Sequence, residues 1–246
     1  MNISKVWAVY FSPTGGTEKA VRTVAEETAA GLGVPLETYD FTLPQNREDE
    51  LAFAEGDFVV FGTPVIAGRV PNVLLPYLKE KVKGGGALAA PVVSFGNRNF
   101  DDALIELRNI LEDDGFRTAA GGAFISEHSF SRTLGAGRPD AADLEKMRAF
   151  GRGIAEKLQS GWTYTEPVTV RGETPIRPYF TPRDRHNAAI DIRKVKPKTS
   201  DACCGCGLCA EVCPMGSISK ENPAEFTGIC IKCCACVKKC PTGAKF

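Results

Sequence analysis

Residues 5–20 read KVWAVYFSPTGGTEKA, a short apolar run followed by a turn of serine, proline, threonine and glycine and then by a helical stretch. The run at residues 5–11 predicts a buried strand, and residues 18–30 predict a helix because their apolar side chains recur at helical spacing. The turn between them offers backbone N–H groups, hydroxyls and the positive end of a helix dipole. Those groups suit a phosphate.

The same alternation of strand and helix continues to residue 160. Further strands are predicted at residues 36–41, 57–61, 87–95 and 119–125, and further helices at residues 73–82, 101–111 and 140–159. This order predicts an α/β fold, a doubly wound parallel sheet with the flavodoxin-like strand order 2-1-3-4-5. Pro91 conflicts with a central fourth strand, because proline removes a ladder hydrogen bond. It marks either a bulge or a later start of that strand.

Three loops of the predicted sheet reach the edge at which doubly wound folds bind ligands. They are residues 12–17, residues 62–71 and residues 94–101. The first loop lacks the lysine of a nucleoside-triphosphate loop and the GxGxxG of a dinucleotide loop, which argues against both kinds of ligand there. Taken together, the three loops suit a flavin.

All ten cysteines lie between Cys203 and Cys240, and eight of them form the pattern C-x2-C-x2-C-x3-C-P twice, at an offset of 27 residues. In bacterial ferredoxins the fourth cysteine of each copy ligates the cluster of the other copy. Two 4Fe–4S clusters and a small α+β two-cluster ferredoxin domain are therefore predicted. The first cluster is assigned to Cys203, Cys206, Cys209 and Cys240, and the second to Cys230, Cys233, Cys236 and Cys213.

Other uses of these cysteines fit the spacing less well. Disulfides suit secreted proteins, but no signal peptide is recognisable and residues 1–202 contain no cysteine. Zinc usually takes two CxxC pairs. Cys204 and Cys234 fall outside the spacing, and we expect both to be small non-ligands beside a cluster, with a spare ligand as the rarer alternative. The small residues Gly205, Gly207, Ala210 and Ala235 are expected to let backbone N–H groups approach the sulfurs.

Charge is unevenly distributed along the chain. Residues 1–160 carry 17 Lys and Arg against 22 Asp and Glu, whereas residues 161–246 carry 13 against 8. The two parts therefore have formal charges of −5 and +5. Either both surfaces are simply solvated, or the basic part docks on the acidic part or on an acidic partner.

The proline-rich, basic segment between the two parts predicts an extended, semi-rigid connector. We accordingly expect three regions, residues 1–160, 161–198 and 199–246. The connector either fixes the distance between the clusters and the flavin or is a solvated linker that fixes nothing.

No apolar run is long enough to span a bilayer, and no nucleic-acid module appears. We expect a cytoplasmic protein of an organism that lives with little oxygen. Its expected partners are redox-partner proteins, with no nucleic acid and no membrane span, and the sequence leaves a homodimer open.

Residues 9–20, VYFSPTGGTEKA, resemble the flavodoxin signature, in which an S-x-T-G-x-T loop cradles the phosphate of FMN. Gly16 stands where asparagine is usual, which removes one side-chain contact and keeps the backbone cradle. With the cysteine motifs, FGNRNFDDALIEL at residues 95–107 and SEHSF at residues 126–130, nearly the whole chain resembles the flavodoxin/ferredoxin fusion proteins.

This resemblance implies one FMN beside two 4Fe–4S clusters. The residues implied to hold the FMN phosphate are Ser12, Thr14, Gly15, Gly16 and Thr17. Those implied around the ring are Thr63, Pro64, Val65, Ile66, Gly68 and Arg69 from the second loop and Ser94, Phe95, Gly96, Asn97, Asn99 and Phe100 from the third. Phe95 or Phe100 would stack on the ring, and a backbone carbonyl near Gly68 or Gly96 would meet flavin N5–H.

His128 lies just past the fifth predicted strand, in a loop at residues 126–139. It is either an acid/base group toward the flavin or a substrate, or a residue that caps its own loop. No catalytic residue is otherwise identified.

The expected function is that of an electron-transfer flavo-iron–sulfur protein, which relays electrons between FMN, two 4Fe–4S clusters and external redox partners. One alternative is a ferredoxin-dependent flavin reductase that acts on a small substrate at the FMN, beneath residues 126–139. A second alternative is a scaffold that has lost FMN and only docks a partner. A wide site above the ring favours the reductase, whereas a flavin edge covered by the ferredoxin part favours the relay.

Overall fold

The computed structural model describes residues 2–96 and 98–246. The main strands are β1 (Lys5–Tyr10), β2 (Leu36–Asp40), β3 (Asp57–Pro64), β4 (Leu88–Phe95) and β5 (Gly122–Ile125). The N-terminal helices are α1 (Gly16–Leu32), α2 (Leu75–Lys81), α3 (Ala103–Asp113) and α4 (Ala141–Gln159). Short turns of 3-10 helix occur at Pro44–Arg47, Asn72–Leu74 and Ile192–Lys194, and the two-residue strands Leu51–Ala52 and Val82–Lys83 pair with each other.

The five strands form one parallel sheet in the order β2-β1-β3-β4-β5, and the two-residue strand Arg117–Thr118 also pairs with β4, ahead of β5. This is the strand order 2-1-3-4-5, so the predicted flavodoxin-like fold is confirmed. Alternate side chains of the central strands point to opposite faces, as in any strand. One face packs a core with α2 and α3, and the other packs a core with α1 and α4. Because β3 is covered on both faces, its sequence is almost wholly apolar.

Two elements run further than the sequence pattern indicates. β3 continues to Pro64 and α1 begins at Gly16, whereas β4 ends at Phe95 as predicted. The predicted loops are therefore shorter than expected, because their first or last residues belong to the sheet or to the first turn of α1.

Pro91 lies inside β4, opposite Phe61 of β3. The carbonyls of Ala87 and Ala89 accept hydrogen bonds on the β5 side, so the missing N–H of Pro91 would also have pointed to that side. On that side Ala89 pairs with Thr118, and the next pair is Val92 with Gly122. Between these two pairs β4 has two residues (90–91), whereas the neighbouring segment has three (119–121). The ladder is interrupted beside the proline by a bulge, and β4 does not begin later.

The connector is held against the flavodoxin-like part. The Asp102 carboxylate is fully buried and accepts hydrogen bonds from the backbone N–H of Glu173 (3.0 Å) and Arg177 (2.9 Å) and from Arg177 Nε (2.8 Å). The side-chain hydrogen bonds from Arg177 hold the pKa of Asp102 well below its usual range. Tyr179 donates from its hydroxyl to the Val70 carbonyl at 2.7 Å. The basic connector is thus docked on acidic and carbonyl groups of the N-terminal part.

The cysteine-rich part contains two short helices, α5 (Leu208–Glu211) and α6 (Ala235–Lys238), which repeat the offset of the cysteines. Each begins after a residue in the left-handed conformation, Gly207 (φ +75°) before α5 and Cys234 (φ +57°) before α6. Among the described residues, no helix is long and apolar enough to cross a membrane.

Candidate functional site

The cysteines line two separate cavities. Cys203, Cys204, Cys206, Cys209 and Cys240 line the first cysteine cavity. Cys213, Cys230, Cys233, Cys234 and Cys236 line the second cysteine cavity. Each cavity thus contains the first three cysteines of one copy and the fourth of the other, which is the grouping assigned from the spacing. Within residues 2–96 and 98–246, no three His, Cys, Asp or Glu side chains converge closely enough for a single metal ion.

Backbone N–H groups point at several of these sulfurs. Ser217 N–H lies 3.3 Å from Cys213 Sγ, and the N–H groups of Ala210 and Ala235 contact Cys209 and Cys233. Such contacts stabilise charge on cluster sulfurs and help to set the reduction potential.

Burial and hydrogen bonding act in opposite directions on the thiols. Burial raises the pKa of Cys233 and Cys236 to about 12, because a thiolate without a cation is costly in a poorly hydrated cavity. At Cys240, burial also acts to raise the pKa, but hydrogen bonds from the N–H of Lys245 and from Thr242 outweigh it and lower the pKa. Iron would supply the positive charge that the buried thiolates need. The donor set therefore fits iron–sulfur clusters.

A third cavity, of about 330 Å³, lies at the carboxyl edge of the sheet and is called the cleft here. The predicted site residues that line it are Thr14, Pro64, Val65, Ile66, Gly68, Phe95, Gly96, Asn99 and His128. All three predicted ligand loops thus contribute to one space. Its volume falls within the roughly 300–1,000 Å³ of small-molecule pockets.

The remaining predicted site residues lie outside the lining of the cleft. They are Ser12, Gly15, Gly16, Thr17, Thr63, Arg69, Ser94 and Phe100, and Asn97 lies outside the described residues. Ser12, Thr17, Thr63 and Ser94 are buried. Arg69 is paired with Glu106 through Nε (2.7 Å), and Phe100 packs against Phe95 with ring centroids 5.6 Å apart. Phe95 is therefore the one of the two candidate aromatics that reaches the cleft.

The first loop is held by its own hydroxyls. Ser12 Oγ accepts from the N–H of Glu18 at 2.9 Å, and the Ser12 N–H donates to Thr42 Oγ1 at 2.7 Å. The Thr17 and Ser94 hydroxyls share a hydrogen bond of 2.6 Å. These bonds order the loop at the start of α1 and leave the Thr14 side chain exposed.

Gly16 packs directly against Ser126. A Cβ at Gly16 would lie 2.9 Å from Ser126 Cβ, so an asparagine would displace the start of the 126–139 loop. In the described part of the chain, the backbone N–H groups of Thr14, Gly16 and Thr17 have no acceptor. Free N–H groups at the start of a 17-residue helix fit a phosphate.

Gly68 and Gly96 are constrained by neighbours on the cleft wall. Gly68 has φ +80°, and a Cβ there would lie 2.8 Å from Asp101 Oδ2. A Cβ at Gly96 would lie 2.7 Å from His128 Cδ2 and 2.8 Å from His128 Cα. Both positions allow the backbone to approach the cleft where a side chain would collide.

His128 both caps its loop and faces the cleft. Its Nδ1 accepts a hydrogen bond from the N–H of Phe130 at 3.1 Å. In the neutral imidazole the proton then lies on Nε2, so the ring can donate a hydrogen bond from that nitrogen. The two interpretations of His128 from the sequence are therefore compatible.

The cleft has further walls that no loop pattern indicated. Phe130, Phe180, Ile192, Ile231, Lys232 and Cys233 also line it. Phe130 lies in the 126–139 loop, whereas the others come from the connector and from the cysteine-rich part, whose approach to the sheet edge depends on tertiary contacts. Cys233, a predicted cluster ligand, thus borders the same space as the three ligand loops.

Polar contacts hold the cysteine-rich part over the cleft. Lys238 Nζ forms an ion pair with Glu127 and donates to the Ser131 carbonyl at 2.5 Å. Arg47 donates to the Pro214 carbonyl at 2.6 Å. The hydrogen bond from Lys238 lowers the pKa of Glu127. One edge of the cleft is consequently covered by the cysteine-rich part.

Comparison with known proteins gave one family match and several distant structural likenesses. Residues 197–219 match the 4Fe-4S binding domain family. A flavodoxin from the domain Archaea is 16% identical, with 63% of this chain and 99% of that chain covered and a TM-score of 0.47. The rubredoxin oxygen:oxidoreductase of the anaerobe Desulfovibrio gigas is 18% identical, with 65% and 37% covered and a TM-score of 0.44. Two-electron reduced flavodoxin from Megasphaera elsdenii is 18% identical, with 61% and 98% covered and a TM-score of 0.41. No curated protein matched the chain.

The family match covers the first cysteine copy, and the strand order describes the N-terminal part. A flavodoxin-like fold is therefore followed by a 4Fe–4S ferredoxin domain in one chain. This order of parts fits the predicted resemblance to flavodoxin/ferredoxin fusion proteins.

Proposed function

We propose that this chain is an electron-transfer flavo-iron–sulfur protein that binds one FMN and two 4Fe–4S clusters. The observation that carries the proposal is the composition of the cleft. Its lining combines the three ligand loops of the sheet with Cys233, an expected ligand of the second cluster. A flavin and a cluster held there would be close neighbours.

The expected roles of the FMN-binding residues follow from their positions. The free N–H groups of Thr14, Gly16 and Thr17 would receive the phosphate at the start of α1. Val65, Ile66 and Phe95 supply apolar walls for the ring, and His128 presents a hydrogen-bond donor. When bound, FMN exchanges electrons in pairs or singly, whereas 4Fe–4S clusters exchange them singly.

The same positions support an order of transfer. The second cysteine cavity lies against the cleft through Cys233, whereas Cys203 and Cys206 of the first copy are exposed. The second cluster would therefore serve the flavin, and the first would serve a redox-partner protein. Cysteines that hold iron–sulfur clusters must stay reduced, which supports a cytoplasmic location.

The reductase alternative is less well supported. Ile231, Lys232 and Cys233 cover one edge of the cleft, and a flavin edge covered by the cysteine-rich part favours the relay. The residue boundaries 1–160, 161–198 and 199–246 remain our proposal for the three regions.

Anaerobic purification with assays of FMN and iron tests the proposal. We expect about one FMN and about eight irons per chain, as one flavin and two cubes require. Eight irons without FMN, even after FMN is added, would contradict the flavin part of the proposal. About four irons would contradict the second cluster.

A further inference from the structure

A fourth cavity, of about 450 Å³, lies beside residues 66–73 and is called the side cavity here. Its walls come from three regions of the chain. Pro71 and Val73 belong to the flavodoxin-like part, Tyr179 and Ile190 to the connector, and Ile229 to the cysteine-rich part. Most of its lining is aliphatic or aromatic.

The side cavity shares a wall with the cleft. The residues that line both are Ile66, Ala67, Phe180, Pro182, Ile192, Ile231 and Lys232. The cleft alone has a volume suited to a single ligand, and of the three loops that suit FMN only the second reaches the side cavity, through Ile66, Ala67 and Pro71. The side cavity is therefore additional space, adjacent to the proposed flavin and separate from it.

Exposed apolar side chains concentrate at this cavity. Phe180, Ile190 and Ile229 are 65%, 41% and 58% exposed, although large apolar side chains are usually covered. All three line the side cavity. An apolar patch of this kind around a concave space is typical of a ligand site.

Among the charged side chains that line the side cavity, one positive charge is left without a partner. Asp191 and Arg193 pair with each other, with Arg193 Nε 2.9 Å from Asp191 Oδ1, and so neutralise each other. Lys232 is the remaining charged residue of the lining, and its Nζ donates to the Val195 carbonyl at 2.7 Å. That hydrogen bond orients the ammonium group, and no carboxylate among the described residues pairs with it.

We propose that the side cavity binds a small apolar organic anion, such as an aromatic or branched aliphatic carboxylate. The apolar walls would bury the body of the ligand, and Lys232 would attract its anionic group. This site goes beyond the electron relay and does not depend on it, because its lining does not require a bound flavin.

Equilibrium dialysis of the anaerobically purified, cofactor-containing chain against two matched probes tests the proposal. The probes are 2-naphthoate, which is anionic, and 2-naphthamide, which has nearly the same shape and no charge. We expect saturable binding of about one naphthoate per chain, with naphthoate favoured over naphthamide by about fivefold, as one solvent-accessible charge pair allows.

Three variants distinguish the contributions of charge and shape. Lys232→Gln should remove the preference for naphthoate and leave naphthamide binding unchanged, whereas Lys220→Gln, an exposed lysine elsewhere on the same part, should change neither. Val73→Phe should narrow the cavity and weaken both probes about tenfold. Ile190→Asp, at an exposed position on the mouth, should weaken naphthoate alone. Iron and FMN content measured on each variant controls for folding.

The proposal is overturned if neither probe saturates, or if the preference for naphthoate survives Lys232→Gln. It is also overturned if Val73→Phe leaves probe binding intact but changes the oligomeric state in size-exclusion chromatography. That result would make the side cavity a contact between copies of the chain.

Discussion

The two cysteine copies have the same ligand spacing but different surroundings. In the first copy, Gly205 (φ +69°) and Gly207 (φ +75°) occupy the two left-handed positions of the loop. In the second copy the equivalent positions hold Lys232 and Cys234, both at φ +57°. A residue with a Cβ costs roughly 1–2 kcal/mol in that conformation. The second copy therefore accepts strain that the first avoids.

The difference coincides with what each copy contacts. Lys232 and its neighbour Ile231 line the cleft and the side cavity, and Ile231 also packs against the core of the flavodoxin-like part. In the first copy the equivalent of Ile231 is Cys204, which is exposed. Ligand spacing thus determines the shape of each loop, and the side chains between the ligands determine whether a copy faces inward or outward.

Removing one expected ligand from each copy should have the largest effect. Cys203→Ser and Cys233→Ser should each lower the iron content by about half, because one of two cubes is lost. Only Cys233→Ser should also weaken FMN binding, since only Cys233 lines the cleft.

Cys204→Ser and Cys234→Ser are the matched controls, and both should retain full iron in a colorimetric assay. Equal effects of Cys203→Ser and Cys233→Ser on the FMN dissociation constant would contradict the inward and outward assignment of the two copies.

Release of the connector should have the next largest effect. Asp102→Asn removes the negative charge of the carboxylate that pairs with Arg177. The segment around residues 173–177 should therefore detach from the flavodoxin-like part. We expect trypsin to cut the connector at least tenfold faster, whereas Asp113→Asn, an exposed carboxylate nearby, should leave the rate unchanged.

The same carboxylate predicts a pH dependence. The pKa of Asp102 is lowered by Arg177 in the folded chain, so its contribution to stability is present above the ordinary Asp value of about 3.9 and is lost as pH falls below it. Urea midpoints measured between pH 3 and pH 6 should fall at the acid end in the wild type and less in Asp102→Asn.

A smaller effect is expected when the contact between α6 and the 126–139 loop is removed. Lys238→Ala removes the ion pair to Glu127 and the hydrogen bond to Ser131. Hydrogen exchange of residues 126–139 should become faster, because the loop loses its cover. Glu211→Ala tests the equivalent position of the first copy, which is exposed, and should leave that exchange unchanged. Faster exchange in both variants would indicate general loosening.

The smallest effect concerns backbone strain. Gly205→Lys gives the first copy the residue of the second and should lower the free energy of unfolding by about 1 kcal/mol without loss of iron. Lys232→Gly makes the reverse exchange and relieves strain while removing a contact, so the net change should be smaller. Denaturant titration under anaerobic conditions measures both. A cost for Lys232→Gly larger than that for Gly205→Lys would show that the contact outweighs the strain.

Local pattern predicted much of this molecule. The apolar periods indicated the helices and the central strands, since burial on one or both faces of an element repeats along its sequence. The phosphate-type turn and the cysteine spacing are also local, because their geometry needs only neighbouring residues. Pro91 conflicted with the prediction of a central strand at this position. β4 accommodates the proline because the neighbouring segment forms a bulge at residues 119–121, and no feature of the β4 sequence itself specifies that bulge.

Spacing along the chain predicted the strand order, the three loops at the sheet edge and the grouping of the cysteines around two cavities. Only the docked structure shows that Phe180, Ile231 and Lys232 complete the cleft and that Cys233 borders it. These residues come from separate regions that are brought together by the Asp102 anchor and the Lys238 ion pair. The physical reason is that burial and ion pairing between distant segments depend on docking, and docking leaves no periodic signal in the sequence.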